Sequence, residues 1–394
     1  MNQIFNNHAS SCRLLLHSSL RFWMRYGIDH AFGGVGNVLD DDGTRIGTDK
    51  YLWSQGRALW TFSAICNRIE PREEWRAAAD HVFNYILHHG RDQRGRWMYR
   101  LDAGGKVLDR DISIYVDGFV MNGLGEYFRL TRDPRAKALA LQTYDATISR
   151  LNSPGSYGVA PYEIPPGLKT HGIAMLFSHV LFHLGRSLDR PDISQEGVKR
   201  ANEVLSDFYV REKNAILEFV SLDGTFVDSP QGRACVPGHA LESLWFAIEI
   251  FEKTNQPERI AECCRLIRGH FELGWDDEFG GMKLALDIDA QSPPYWNQAD
   301  CKPWWVQIEA MVAVVYAFLH TRDYWFLDRY GRISGYVNRH YLTPAGEWTQ
   351  WLDRRGNKMP SAALPVKDPF HLPRGMMMLI DLFENRLGGI TKAP

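Results

Sequence analysis

Charge of one sign is what this sequence lacks most plainly: 45 Lys and Arg stand against 47 Asp and Glu, a formal net charge of −2 over 394 residues. Bases alternate with acids and never gather into a run, which removes nucleic acid and anionic membrane as partners. Long apolar runs are also missing. The longest, such as Ile308 to Leu319, fall well short of the roughly 20 residues that a bilayer span takes. The N-terminal MNQIFNNHASSC has no charged-then-apolar signal pattern, so a soluble, cytoplasmic protein is expected. Six cysteines (Cys12, Cys66, Cys235, Cys263, Cys264, Cys301) are scattered without metal-ligand spacing and read as reduced thiols. No G-x-x-x-x-G-K-S/T occurs, and GGVGN (Gly33 to Asn37) lacks the strand–glycine–helix context of a nucleotide site, so no phosphate cradle is expected.

Aromatic residues are abundant instead: 13 Trp, 16 Tyr and 20 Phe make 12% of a chain that is 45% hydrophobic. That is ample apolar surface for a packed core, and rings beside polar groups also stack on sugar faces.

Helical periodicity runs through about twelve segments, near 10–26, 51–70, 72–90, 113–131, 134–151, 171–188, 192–211, 238–253, 256–273, 303–320, 323–341 and 373–387. Their connections alternate. Short ones carry stop signals such as Glu70-Pro71, Arg132-Asp133-Pro134 and Arg190-Pro191. Long ones, near 27–50, 91–112, 152–170, 212–237, 274–302 and 342–372, are rich in Gly, Pro and aromatics. Four of these place Leu-Asp before a glycine-bearing turn: VLDDDG (Val38 to Gly43), RLDAGG (Arg100 to Gly105), SLDGT (Ser221 to Thr225) and WLDRRG (Trp351 to Gly356). Asp and Gly tolerate hairpin turns, so short β-hairpins are expected there. A repeat of roughly 65 residues made of helix, decorated loop and helix predicts six helical hairpins. They are expected to close into an α/α toroid forming a single domain over residues 1–394; an open solenoid of helix pairs would show the same local pattern.

The unusual polar residues keep the phase of that repeat. From Arg57 through Tyr115, His171, His239 and Trp305 to His371 the gaps are 58, 56, 68, 66 and 66 residues, each position just after a long loop. A closed ring would bring them together at one mouth. A histidine at a helix start is ordinarily a hydrogen-bonded structural residue, and Glu242 there is favoured by the helix dipole alone. Three histidines in phase point to a shared pocket. His179 and His183, spaced i,i+4, have no third ligand at a recognisable distance and are assigned a surface or packing role, so no metal is expected. His88 and His89 read as loop residues. With an ordinary pKa of about 6.5, one imidazole takes a proton while another gives one. The matching reaction is proton abstraction next to a sugar carbonyl, its anion met by a cation such as Arg57.

The chain resembles the N-acylglucosamine 2-epimerase family, which also holds cellobiose 2-epimerases and mannose isomerases. The likeness is carried by FGG (Phe32 to Gly34) with LDDDG, K-x-x-W-x-QGR-x-x-W (Lys50 to Trp60), PGHALE (Pro237 to Glu242), WWVQIEAM (Trp304 to Met311), EWTQWLDRRGN (Glu347 to Asn357) and PFHLPRG (Pro369 to Gly375). It runs from about residue 20 to 385. The resemblance implies an (α/α)6 barrel, often a homodimer, that opens the sugar ring and moves a proton at C2. It implies His239 and His371 as the acid/base pair, with Arg57 and Glu309 needed for activity. Pocket positions are implied for Tyr115, His171, Glu242 and Trp305, with Trp304 and Gln307 of the same motif also expected to contact substrate. PFHLPRG after WLDRRGN is closer to the N-acylhexosamine branch than to the cellobiose branch. No cofactor is implied, and the nucleotide activation of some members has no signature in these loops. An aldose–ketose isomerase using the same intermediate stays open. So does a glycoside hydrolase built on Glu242, Glu309 or Asp117, since hydrolysis takes two opposed carboxylates, and so does a non-catalytic binding surface.

Overall fold

At Arg132, Asp189 and Arg322 the backbone turns left-handed (φ 60°, 57° and 56°), which stops the preceding helix. The next helix starts at once. Pro134 and Pro191 stand where a first-turn N–H would go unpaired, and Asp133 and Asp323 cap by accepting from the N–H groups of Arg135 (2.8 Å) and Trp325 (2.9 Å). The computed structural model describes residues 2–291, 294–360 and 366–388. Among them twelve helices follow: α1 (Asn2–Phe22), α2 (Leu52–Arg68), α3 (Glu73–His89), α4 (Ile114–Thr131), α5 (Pro134–Leu151), α6 (His171–Leu188), α7 (Pro191–Glu203), α8 (Pro237–Lys253), α9 (Pro257–Gly274), α10 (Trp304–Thr321), α11 (Tyr324–His340) and α12 (His371–Ile380).

The even-numbered helices form an inner ring. Each packs on the next, and α12 returns to touch α2, so the toroid is closed and not an open solenoid. Odd-numbered helices clothe it, α1 against α12 and the others against their hairpin partners. Burial follows this order. In α10 every residue from Val306 to Phe318 is buried, whereas α5 buries one stripe, Ala136, Leu139, Ala140, Thr143, Thr147 and Leu151. Helix α1 begins eight residues before its expected start because Phe5 and Ala9 continue the buried stripe through a polar segment. His88 and His89, expected in a loop, are the last two residues of α3. No described helix is long and apolar enough to cross a membrane.

Each Leu-Asp-glycine motif is a tight turn. Gly43, Gly105, Gly224 and Gly356 take φ of 87–92°, which a side chain would resist, and Asp102, Asp223 and Asp353 accept backbone N–H groups across the turn at 2.9–3.1 Å. The longer-range pairing was not expected. Short strands join successive loops: Lys50–Tyr51 with Arg100–Leu101, Leu168–Thr170 with Phe219–Ser221, Ala234–Cys235 with Leu286–Asp287, and Lys302–Pro303 with Trp351–Leu352. They lace the loops into a collar at one end of the barrel.

Two parts of the collar are built alike. In one, Asp29 accepts from the N–H groups of Ala31 and Phe32 and pairs with Lys50 (2.9 Å), while the Gln55 amide bonds both N–H and C=O of Val35. In the other, Asp276 accepts from Glu278 and Phe279 and pairs with Lys302 (3.3 Å), while Gln307 bonds both backbone groups of Met282. Trp53 and Arg57 of the first have Trp305 and Glu309 as counterparts, 252 residues later.

Candidate active site

The collar surrounds the N-terminal turns of the inner helices, and those turns carry the polar residues. On α8, His239 directs Nδ1 to Glu218 Oε2 at 2.9 Å; His171, first residue of α6, lies 3.9 Å from the same oxygen. Glu218 is anchored by the Thr170 hydroxyl (3.1 Å) and through its own backbone, which accepts from His171 N–H and donates to the Ala234 carbonyl. On α12, His371 directs Nδ1 to Glu309 Oε1 at 2.8 Å. Glu309 is fully buried and also accepts from Trp245 Nε1 (2.9 Å) and Arg374 (2.7 Å). Arg374 donates to Glu242 as well, tying α8, α10 and α12 together.

Trp305 joins the two halves. Its ring stacks on His239 at 5.0 Å and meets His371 at 5.8 Å, so both histidines reach one indole. Trp304 meets the edge of His371 at 6.3 Å. Arg57 pairs with Asp368 (3.1 Å) and lies over the rings of Phe119 (4.0 Å), Trp53 (4.6 Å) and Phe370 (5.0 Å). Gly172 beside Tyr115 leaves no room for more than hydrogen: a Cβ there would stand 2.5 Å from the phenol oxygen.

Gln307 is the correction. Expected among the substrate contacts, it is wholly buried and its amide is spent on the Met282 backbone and the Pro303 carbonyl. Glu218, Arg374 and Asp368 went unrecognised in the sequence. Arg374 had a signal, lying one helical turn after His371, and Asp368 closely precedes that histidine. Glu218 comes from the bend just before the strand Phe219–Ser221, outside every motif.

The two histidines are tuned differently. Burial pulls His239 down, but the charge and hydrogen bond of Glu218 outweigh it and raise the imidazole above its ordinary value. Burial drives His371 well below its ordinary value, and Arg57 and Arg374 add to the effect against the pull of Glu242. Burial would raise Glu218, yet His239 and His171 hold it down to about 2. His371 is thereby neutral and His239 disposed to hold its proton.

Two groups at this mouth have metal-like donor sets, His171 with Glu218 and His239, and Glu242 with Glu309 and His371. In the second, Arg374 already takes the cation's place between the carboxylates. In the first, Glu218 is committed to His239 and Thr170. Asp117 is not at the mouth: its partners, Thr147 (3.1 Å) and Arg150 (3.5 Å), belong to the outer helix α5.

The fold and these residues define a closed α/α barrel with a histidine pair at the N-terminal mouth of its inner helices. The family profile described as N-acylglucosamine 2-epimerase (GlcNAc 2-epimerase) matches residues 33–373, and the chain belongs to that family. N-acylglucosamine 2-epimerase of Bos taurus is 26% identical over 382 residues, covering 94% of this chain and 90% of that protein. Cellobiose 2-epimerase of Dictyoglomus turgidum is 32% identical over 358 residues, covering 84% and 87%. Among solved structures, cellobiose 2-epimerase of Bacillus thermoamylovorans superposes with a TM-score of 0.82 over 97% of this chain and 100% of that one, at 20% identity, which establishes the shared fold.

Proposed function

We propose that the protein is a sugar 2-epimerase interconverting N-acyl-D-glucosamine and N-acyl-D-mannosamine. The observation that carries this reading is the histidine pair on one indole, one imidazole held neutral and the other toward its protonated form. Groups whose surroundings push their pKa values apart divide into base and acid. In the ring-opened sugar, neutral His371 removes the proton at C2; Glu309 on Nδ1 leaves Nε2 as the basic nitrogen. The electron pair moves toward the C1 oxygen, and Arg57 supplies positive charge there. His239 returns a proton to C2 on the other face, with Glu218 stabilising its charged form. Trp305, Trp304, Tyr115 and His171 bound the seat, and Glu242 holds Arg374 in place.

The acyl substrate is favoured by the likeness to the mammalian enzymes along nearly the whole length of both chains. Hydrolysis is disfavoured by Arg374, which fills the space between Glu242 and Glu309 where a scissile bond would lie. Six buried free cysteines favour a reducing, cytoplasmic setting, and the family likeness favours a homodimer that acts without cofactor.

Incubation with N-acetylmannosamine in D₂O, followed by NMR, is expected to place deuterium at C2 of both epimers and to do so no longer in His371→Ala. In a parallel incubation with mannose, whose C2 carries the hydroxyl that a ketose requires, deuterium at C1 of a ketose product would make the enzyme an aldose–ketose isomerase; no exchange with either sugar would overturn the reading.

A further inference from the structure

The barrel has a second end, where the inner helices finish. His179 and His183 lie one turn apart on α6 and face Glu249 near the end of α8, roughly 12–15 Å below the mouth by the rise of an α-helix. His183 Nε2 is 3.3 Å from Glu249 Oε2 and His179 Nδ1 is 3.9 Å from the same oxygen. All three atoms are buried, and none is aligned for a hydrogen bond with any group of the described residues. His179 is 5% exposed. His183 and Glu249 are within ion-pair distance, but leaving such atoms without an aligned hydrogen bond costs on the order of 1–3 kcal/mol each, and a cation among them would satisfy all three. At the mouth, by contrast, Arg374 bridges the carboxylates of one cluster and Glu218 of the other is bonded by His239 and Thr170, although His171 Nε2 is also buried with no partner among the described residues.

The donor set is two imidazoles and one carboxylate, which suits a divalent transition metal of the zinc type. Zinc with donors at about 2.0–2.2 Å brings tetrahedral ligand atoms to roughly 3.3 Å from one another. One of the three separations matches this already, another is 3.9 Å, and all three lie within 4.8 Å, which small side-chain rotations would close. Arg68 brings a positive charge to the same region, and Glu126 at 3.3 Å meets it. His183 and Glu249 also line a cavity of about 790 Å³, together with Arg68, Arg186, Tyr316 and Arg386, which offers an entry path and space for a water as fourth ligand.

We propose that His179, His183 and Glu249 form a divalent-metal site that pins α6 to α8 at the floor of the barrel, apart from the sugar site. The test uses full-length protein stripped with a chelator, then titrated calorimetrically with Zn²⁺ and, separately, followed by visible absorption with Co²⁺. One equivalent is expected to bind, with nitrogen-ligated tetrahedral Co²⁺ bands and a rise in melting temperature on adding Zn²⁺. Both are expected to vanish in Glu249→Gln and in His183→Gln, the latter part-exposed at the cavity edge, with folding of each variant checked by circular dichroism, and to persist in Glu218→Gln. Absence of a bound equivalent, equal binding in either floor variant, or loss on Glu218→Gln instead would overturn the site.

Discussion

Two imidazoles that touch one indole differ in protonation because their surroundings differ. At His239 the charge and hydrogen bond of Glu218 outweigh burial, whereas at His371 burial dominates and Arg57 and Arg374 add to it. Epimerisation needs His371 free and His239 charged, so the acid limb of a pH–rate profile belongs to His371, below the ordinary imidazole value, and the alkaline limb to His239, above it. Removing the charge in Glu218→Gln takes away what raises His239. The alkaline limb of kcat/KM is expected to move to lower pH while the acid limb stays; a profile unchanged at both ends would remove Glu218 from its positioning role. A second residue-scale outcome concerns Asp117, whose carboxyl burial lifts to about 6 despite Arg150. Its folded pKa exceeds its unfolded value, so the native state prefers the protonated form, and stability declines as pH rises from about 4 to 6. The cost at neutrality is on the order of 3 kcal/mol at most. Asp117→Asn is expected to raise the melting temperature at neutral pH and to give no gain near pH 4, checked by calorimetry at both.

At the scale of elements, the paired parts of the collar explain why Gln307 is no ligand. Gln55 and Gln307 do the same work, each closing the loop ahead of its helix by bonding one residue's N–H and C=O. Gln307→Ala strands the buried groups of Met282 and is expected to cost about 2 kcal/mol in denaturant unfolding, with KM for sugar changing only as the loop loosens. The helices were legible in the sequence because their period and their Pro and Asp stops are local, and the in-phase positions marked the mouth. Glu218 was not legible, since a loop residue just ahead of a short strand tells nothing of the helix start it will meet. The loop-to-loop strands escaped for the same reason: Lys50 pairs with Leu101, which no local turn announces. The floor triad was half visible. His179 and His183 share a helix face, but Glu249 lies one hairpin later and meets them only after folding.

At the scale of the molecule, the ring stands on its closure. Buried Lys367 bonds Asp41 (2.9 Å) and the Trp348 carbonyl (2.6 Å), its own N–H reaches the Asn37 carbonyl, and the Thr61 hydroxyl donates to the Pro369 carbonyl. Residues from the two ends of the chain thus hold the segment that delivers Asp368 and His371 to the mouth. Lys367→Met leaves Asp41 with only the exposed Lys358 (3.1 Å) and the Gln350 N–H, and is expected to cost about 2–3 kcal/mol. Because the same segment carries His371, kcat is expected to fall along with the melting temperature; a destabilised variant with unchanged turnover would show that the mouth does not depend on this clasp.

The correspondence of Arg57 with Glu309 has one more consequence. Equivalent positions in the two similar parts of the collar bear opposite charges, so the vestibule is electrically lopsided despite its near-repeat in shape. An extended aldehyde sugar meets a cationic rim on one side and an anion-backed imidazole on the other. Entering reversed, it would turn its carbonyl oxygen away from Arg57 and toward the imidazole that Glu309 backs, so the two sides of the mouth are not interchangeable to a guest.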